Sequence, residues 1–301
     1  MHPATTVVDA RTARTLGVVL GVWAHPDDEA YLSAGLMALT RAAGNPVTCV
    51  TATLGEHGTS DPVAWPPDRL ARTRHLEITA SMAILGVEDH RLLDYEDGTL
   101  AHQPAEAGIE RIATVIDEVR PDTIVTFGPD GMTGHPDHRT ISTWTTAAAE
   151  RVRCGRLLYA TTTDTFADEH AALHERLGVF GPGLPLRTPA HEVAVTVPLD
   201  EDLLDRKLAA LRAQATQVQP ILTEVGEVAF RRWWHTETFR AASRYAPNSA
   251  QGAHRDDPNH RSGELRGGAR RHRGTGRRMA AAPGGRVGEV PRAHSGAPGA
   301  P

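Results

Sequence analysis

The sequence predicts an α/β fold, a Rossmann-like, mostly parallel sheet with helices on both faces. Continuous apolar runs such as 17–24 and 123–127 have the composition of strands buried on both faces. These runs alternate with segments of helical spacing, and strands that alternate with helices give parallel sheets with right-handed crossovers. No G-x-G-x-x-G follows the first run and no P-loop is found, so dinucleotide and nucleotide-phosphate binding have no support.

The elements follow in order. The run 17–24 is a buried strand closed by a Pro-containing loop. Residues 30–43 place Leu32, Leu36 and Leu39 on one helical face, with Gly44-Asn45-Pro46 as the stop. A second strand covers 47–53, and a helix over 69–85 is closed by Gly86. A short strand is expected at 91–93, before a loop through Asp97-Gly98. Helix 109–119 ends before Arg120-Pro121, strand 123–127 follows, and 140–151 is helical. Strands are expected at 156–162 and 192–197, the second alternating, and one helix spans 203–218 and ends at Pro220. The expected organisation is an extension over 1–16, one domain over 17–246, and a low-complexity, disordered tail over 247–301.

Composition sets outer limits. The chain has 301 residues, is 40% hydrophobic and 23% charged, as in soluble globular proteins. No apolar run is long enough to span a membrane, and 1–16 lacks the apolar stretch of a signal peptide, so a cytoplasmic protein is expected. The two cysteines, Cys49 and Cys154, allow at most one disulfide and lack metal-type spacing. Charge is uneven: from residue 251 onward ten arginines face four acids, leaving the preceding residues strongly acidic against a formal total of −5. That end is Gly, Ala, Arg and Pro without periodicity, which reads as a segment unable to order itself; a nucleic-acid partner is not expected. Lys207 is the only lysine in the chain.

Two clusters carry chemistry. Ala24-His25-Pro26-Asp27-Asp28-Glu29 follows the first strand, and Gly134-His135-Pro136-Asp137-His138 follows the 123–127 strand by a short loop. Ligands of open α/β sheets bind at the carboxyl ends of strands, so the clusters can face one another there. Two imidazoles and a carboxylate suit a catalytic zinc, which takes three protein ligands and keeps an open position. Spare carboxylates and imidazoles beside them suit a general base and a general acid. Alone, His-Pro-Asp reads as a turn and three successive acids as helix N-terminal enrichment. Together they read as a metal site.

These motifs resemble the LmbE-like, or PIG-L, family of zinc-dependent N-acetylglucosaminyl deacetylases, which includes the deacetylase of mycothiol biosynthesis and mycothiol conjugate amidase. The similarity spans roughly 17–240 and also touches Thr53-Leu54-Gly55-Glu56, Arg74-His75-Leu76-Glu77, Tyr95-Glu96-Asp97-Gly98 and the helix around 207–217. The resemblance implies His25, Asp28 and His138 as Zn2+ ligands and Asp27 as the general base. It implies His135 as the residue that stabilises the oxyanion and protonates the leaving amine, with Asp137 orienting that imidazole. Arg74 and Asp97 align with residues that contact sugar hydroxyls, although by themselves they also read as a surface helix residue and a turn. The chain departs from the family pattern at Gln214, where a histidine is common, and at Thr133, where the mycothiol deacetylase has a tyrosine; both bear on the substrate.

The implied activity is hydrolysis of an N-acyl group, acetyl first, from a small amino sugar or glycoconjugate. The alternatives are an amidase acting on a larger thiol conjugate or antibiotic precursor, separated by the cleft beside the Pro-rich loop 56–68, and a catalytically silent sugar binder. No membrane partner is expected, and a homo-oligomer is compatible with the sequence. Trp233-Trp234-His235 suits either a sugar platform or, more simply, closure of a core.

Overall fold

A computed structural model describes residues 5–242. An eight-stranded sheet has the order β1-β9-β10-β6-β5-β2-β3-β4. Its strands are β1 (Thr6–Val7), β2 (Val19–Trp23), β3 (Val47–Thr53), β4 (Asp89–Tyr95), β5 (Thr123–Phe127), β6 (Arg156–Ala160), β9 (Val193–Pro198) and β10 (Thr236–Ala241); β7 (Thr162–Thr163) and β8 (Arg187–Thr188) pair separately. The helices are α1 (Asp28–Ala42), α2 (Pro67–Leu85), α3 (Ala105–Val119), α4 (Pro136–Val152), α5 (Asp164–Glu169), α6 (Ala171–Leu177), α7 (Glu201–Ala213), α8 (Ala215–Val225) and α9 (Glu227–Trp233).

The sheet is mostly parallel, as expected. β6, β5, β2, β3 and β4 form one parallel run, while β10 lies antiparallel between β6 and β9. Every residue of β2, β3 and β5 is buried, which explains their unbroken apolar or Thr-rich composition. From β2 the chain winds one way to β3 and β4, and later the other way to β5 and β6. The gap between β2 and β5 is therefore the topological switch point, where ligands of such sheets sit.

Three differences from the sequence reading have physical causes. The helix expected over 203–218 is two helices that meet at Gln214. The Gln214 side chain is buried on Glu29 and Ser81, and the Glu77 carboxylate accepts both the N–H and the hydroxyl of Thr216, starting α8 anew. Pro220 lies inside α8 rather than ending it, and α8 ends at Gly226. Second, the part of the 1–16 extension that is described packs into the domain: β1 pairs with β9, and Val8, Ala13 and Leu16 are fully buried. Third, β10 went unread in the sequence. The expected tail over 247–301 lies outside the described residues.

Candidate metal centre at the strand ends

His25 follows β2 directly, and Asp28 opens α1. Between them Asp27 is the N-cap of α1 with a positive φ of 109°, a conformation that costs energy for a residue with a Cβ. The turn brings the His25 N–H onto Asp28 Oδ2 at 2.8 Å. The second cluster is not a loop but the start of α4. His135 is its N-cap, with Nδ1 accepting the Asp137 N–H at 3.2 Å, and Pro136 and Asp137 follow in the first turn.

Across the switch point three ligand-type groups converge. His25 Nδ1 lies 3.1 Å from His138 Nε2 and 3.6 Å from Asp28 Oδ2, and His138 Nε2 lies 3.4 Å from Asp28 Oδ1. Ligands about 2.0–2.1 Å from a tetrahedral ion would stand roughly 3.3 Å apart. The outer ring nitrogens are already engaged. His138 Nδ1 is 3.0 Å from the Gly131 carbonyl, which fixes its proton there and leaves Nε2 a lone pair. His25 Nε2 meets Asp97 Oδ1 at 3.1 Å and Asp137 Oδ2 at 3.4 Å. Positive charge must therefore lie between His25 Nδ1, His138 Nε2 and Asp28, either as a proton or as a bound cation. Without a cation, burial lowers the His25 pKa, but hydrogen bonds to Asp137 and Asp97 and the Asp28 charge outweigh it and raise the pKa to about 10. Burial, with the His25 charge, holds His138 down at about 4, against the opposing pull of Asp28. Two imidazole nitrogens and a carboxylate with an open side fit a catalytic zinc. His135 also brings a ring nitrogen within 4.8 Å of those of His25 and His138, but it is the exposed member of that trio.

Asp27 lies beside this centre. Burial pushes its carboxyl up to about 7; Arg74 opposes the shift and Asp28 adds to it. Arg74 is buried, and its guanidinium donates to the Gly55 carbonyl at 2.8 Å and to the Pro26 carbonyl and meets Asp27 Oδ2 at 3.3 Å. Gly55 favours glycine: φ is +62° and a Cβ would stand where the Arg74 guanidinium sits and displace it. Asp97 is buried too, accepting the His57 N–H at 3.0 Å beside His25. Arg74 and Asp97 are thus held by protein partners and buttress Asp27 and His25.

The Asp137 carboxylate also differs in its partners from the sequence reading. Its oxygens accept the N–H groups of Gly98 (2.8 Å) and Leu100 (3.1 Å) and face His25, whereas His135 is held by the backbone N–H of Asp137. Glu29 was read as part of an acidic turn, yet it is fully buried beneath Asp27. It accepts the Asp27 N–H at 3.1 Å and the Gln214 amide at 2.6 Å, and burial, with the Asp27 charge, raises its carboxyl to about 8. Gln214 thus supports Glu29 beneath Asp27. A glutamate just past an N-terminal acid pair, together with a polar helix break near 214, was the available signal. Thr133 stands 3.4 Å from His138 Nδ1 and belongs to a cavity that opens beside the centre. The loop 56–68 bounds a separate space of about 280 Å3 with Thr216, Gln217 and Pro220. Cys49 and Cys154 are both free.

Fold and site together define an α/β protein with a candidate mononuclear metal centre at its topological switch point. Residues 20–149 match the family model of PIG-L, GlcNAc-PI de-N-acetylase. A 1D-myo-inositol 2-acetamido-2-deoxy-alpha-D-glucopyranoside deacetylase of Saccharomonospora viridis is 36% identical, over 66% of this chain and 85% of that protein. The chain belongs to the PIG-L, or LmbE-like, family. Among solved structures, N,N'-diacetylchitobiose deacetylase from Pyrococcus horikoshii aligns with a TM-score of 0.52 at 22% identity, over 78% of this chain and 87% of that one. The 4-carboxy-2-hydroxymuconate hydratase from Pseudomonas putida aligns equally well, at 0.52 and 17% identity, over 79% of this chain and all of that one. These two show the fold alone, and a hydratase on the same fold means the site must decide the chemistry.

Proposed function

We propose that the chain is a zinc-dependent hydrolase that removes an N-acyl group from an amino sugar or its conjugate. The observation that carries this is the convergence of His25 Nδ1, Asp28 and His138 Nε2 within 3.1–3.6 Å, with a carboxyl of near-neutral pKa, Asp27, at their side. Bound zinc would supply a Lewis acid for the amide carbonyl and lower the pKa of a water. Asp27 is the base: a carboxyl titrating at about 7 holds and releases a proton at neutral pH, and Arg74 fixes its orientation. His135 is the donor to the leaving nitrogen. Its Nδ1 accepts the Asp137 N–H, so the neutral ring carries its proton on Nε2. Asp97 and Asp137 hold the outer edge of His25 so that Nδ1 faces His138. The deacetylase named for the Saccharomonospora viridis relative supports an N-acetylated glucosamine as the first substrate to try.

The test joins metal content to turnover. Zinc-loaded protein should release free amine from N-acetylglucosamine compounds, lose that activity to a chelator and regain it with zinc. Asp27→Asn should keep its zinc and lose turnover by about 10²-fold or more. Turnover that ignores the chelator, or survives in Asp27→Asn, refutes the reading.

A further inference from the structure

A cavity of about 510 Å3 opens off the candidate centre. Asp28, His138 and Thr133 stand in its wall with the rings of Tyr31, Phe127, Phe166, Phe180, Trp233 and Trp234, and Arg176 pairs with Glu224 at the same lining. Tyr31 lies one turn after Asp28 on α1, so the two share a face and the cavity leaves the centre along that helix. Tyr31 and Trp234 pack with ring centroids 4.7 Å apart, and Trp233 stacks on Trp234 at 4.6 Å. The Tyr31 hydroxyl and the Trp234 indole N–H are buried without a hydrogen-bond partner. These two atoms have no accessible surface and do not face the open cavity, so what the rings present to it is apolar. The indole pair closes a core, as the sequence suggested, with Trp233 buried beside Leu208, Leu211 and Phe230, and also lines this cavity.

The cavity has a direction relative to the proposed reaction. His135, the donor to the leaving nitrogen, is not in its wall, nor are Asp27, Arg74 and Asp97; Asp28 and His138 are. The amine side of the amide therefore lies toward His135, and the substituent on the carbonyl carbon points the other way. We infer that this cavity is the acyl pocket and that the enzyme hydrolyses N-acyl groups much larger than acetyl, such as aliphatic chains of about six to eight carbons or arylacetyl groups. This rests on the hydrolase reading above. The reaction is unchanged: the C–N bond breaks, the acyl carbon gains the oxygen of water, and the nitrogen gains a proton, giving a carboxylate and an amine. An acetyl methyl takes up about the volume of one water, roughly 30 Å3, and leaves most of the cavity unfilled.

The experiment is a chain-length series on the zinc-loaded full chain: N-acetyl, N-butanoyl, N-hexanoyl, N-octanoyl and N-phenylacetyl glucosamine, followed by free-amine release. Burial of each added methylene should raise kcat/KM about fourfold until the cavity is full. Ile221 also lines the cavity, and Ile221→Trp, which narrows it, should lower the hexanoyl-to-acetyl ratio at least tenfold and shift the preference to shorter groups. A flat series, or acetyl as the best substrate, overturns the acyl pocket while leaving the hydrolase reading intact. A rate that follows an apolar aglycone at constant acyl group overturns it as well. Hydrolysis of none of the series overturns both.

Discussion

Asp137 is fully buried at the first turn of α4, and its role follows from what its two oxygens touch. Both are committed, to Gly98 N–H, Leu100 N–H and His25. Burial raises its carboxyl, but the His25 hydrogen bond and the Gly98 N–H outweigh this and hold the pKa below the usual carboxylate value. A carboxylate that orients a ligand imidazole acts on metal affinity. Asp137→Asn should therefore weaken zinc binding roughly 10–100-fold in a competitive chelator titration, while saturating zinc restores most of the turnover. Unchanged zinc affinity with turnover lost at saturating zinc would return Asp137 to the role of His135's partner. His25, Asp28 and His138 were legible in the sequence because both clusters lie just past buried strands, where backbone direction alone brings them together. The partner of Asp137 was not legible, because it depends on the 98–100 segment, which arrives from a loop far away in sequence. Arg74 and Asp97 were found as residues, but their inward orientation was not: an arginine on a helix looks like a surface group until Gly55 and Pro26 are seen to accept from it.

At the scale of elements, one ion pair ties α1, α7 and β10 together. Lys207, the only lysine in the chain, is buried, and its ammonium donates to the Tyr31 carbonyl at 2.7 Å and to Glu237 Oε1 at 2.9 Å. Glu237 in turn accepts the N–H groups of Gly35 and Leu36, inside α1, at 2.8 and 2.9 Å. Burial pulls the Lys207 pKa down and Glu237 opposes it. Removing one member of a buried pair strands the other, which typically costs about 3–5 kcal/mol. Lys207→Met should lower the unfolding free energy from a urea titration by that order, and Glu237→Gln in the same chain should recover part of it. Equal loss in the single and double variants would mean that the pair is not coupled. Because α1 also carries Asp28 and Tyr31, the single variant should lose zinc affinity as well. This staple explains why β10 escaped the sequence reading. Its Thr236, Glu237, Thr238 and Arg240 look like a polar stretch, and Glu237 is buried only because Lys207 comes to meet it from α7. The break at Gln214 was hidden in the same way, since Glu77 and Glu29 on other helices make it.

Across the whole molecule, two histidines away from the candidate metal centre give stability a pH dependence. His90 on β4, at the sheet edge, is 3.0 Å from the Thr51 hydroxyl, and burial together with the charge of His75 lowers its pKa to about 4. His174 on α6 is buried and accepts the Trp233 indole N–H at 3.0 Å; burial, then His170, lowers its pKa to about 4. Both are therefore neutral in the folded chain at a pH where the unfolded chain, with histidine near 6.5, already takes up protons. At these two sites the folded state binds fewer protons between about 6.5 and 4, so their contribution to stability falls as pH drops through that window and is level above about 7. A shift of this size corresponds to at most about 2 kcal/mol per histidine at pH 5, and less where solvent screens the charge, at the sheet edge for His90 and at the cavity wall for His174. The measurement is the urea midpoint from pH 8 to 4.5 in zinc-free protein, for the parent and for a chain with His90→Gln and His174→Gln. The stability of the parent relative to the double variant should fall below about pH 6.5 and stay constant above about 7, because the slopes from His25, Asp27 and Glu29 are common to both chains. Parallel curves would mean that the acid sensitivity arises elsewhere, at His138, whose pKa burial likewise holds at about 4.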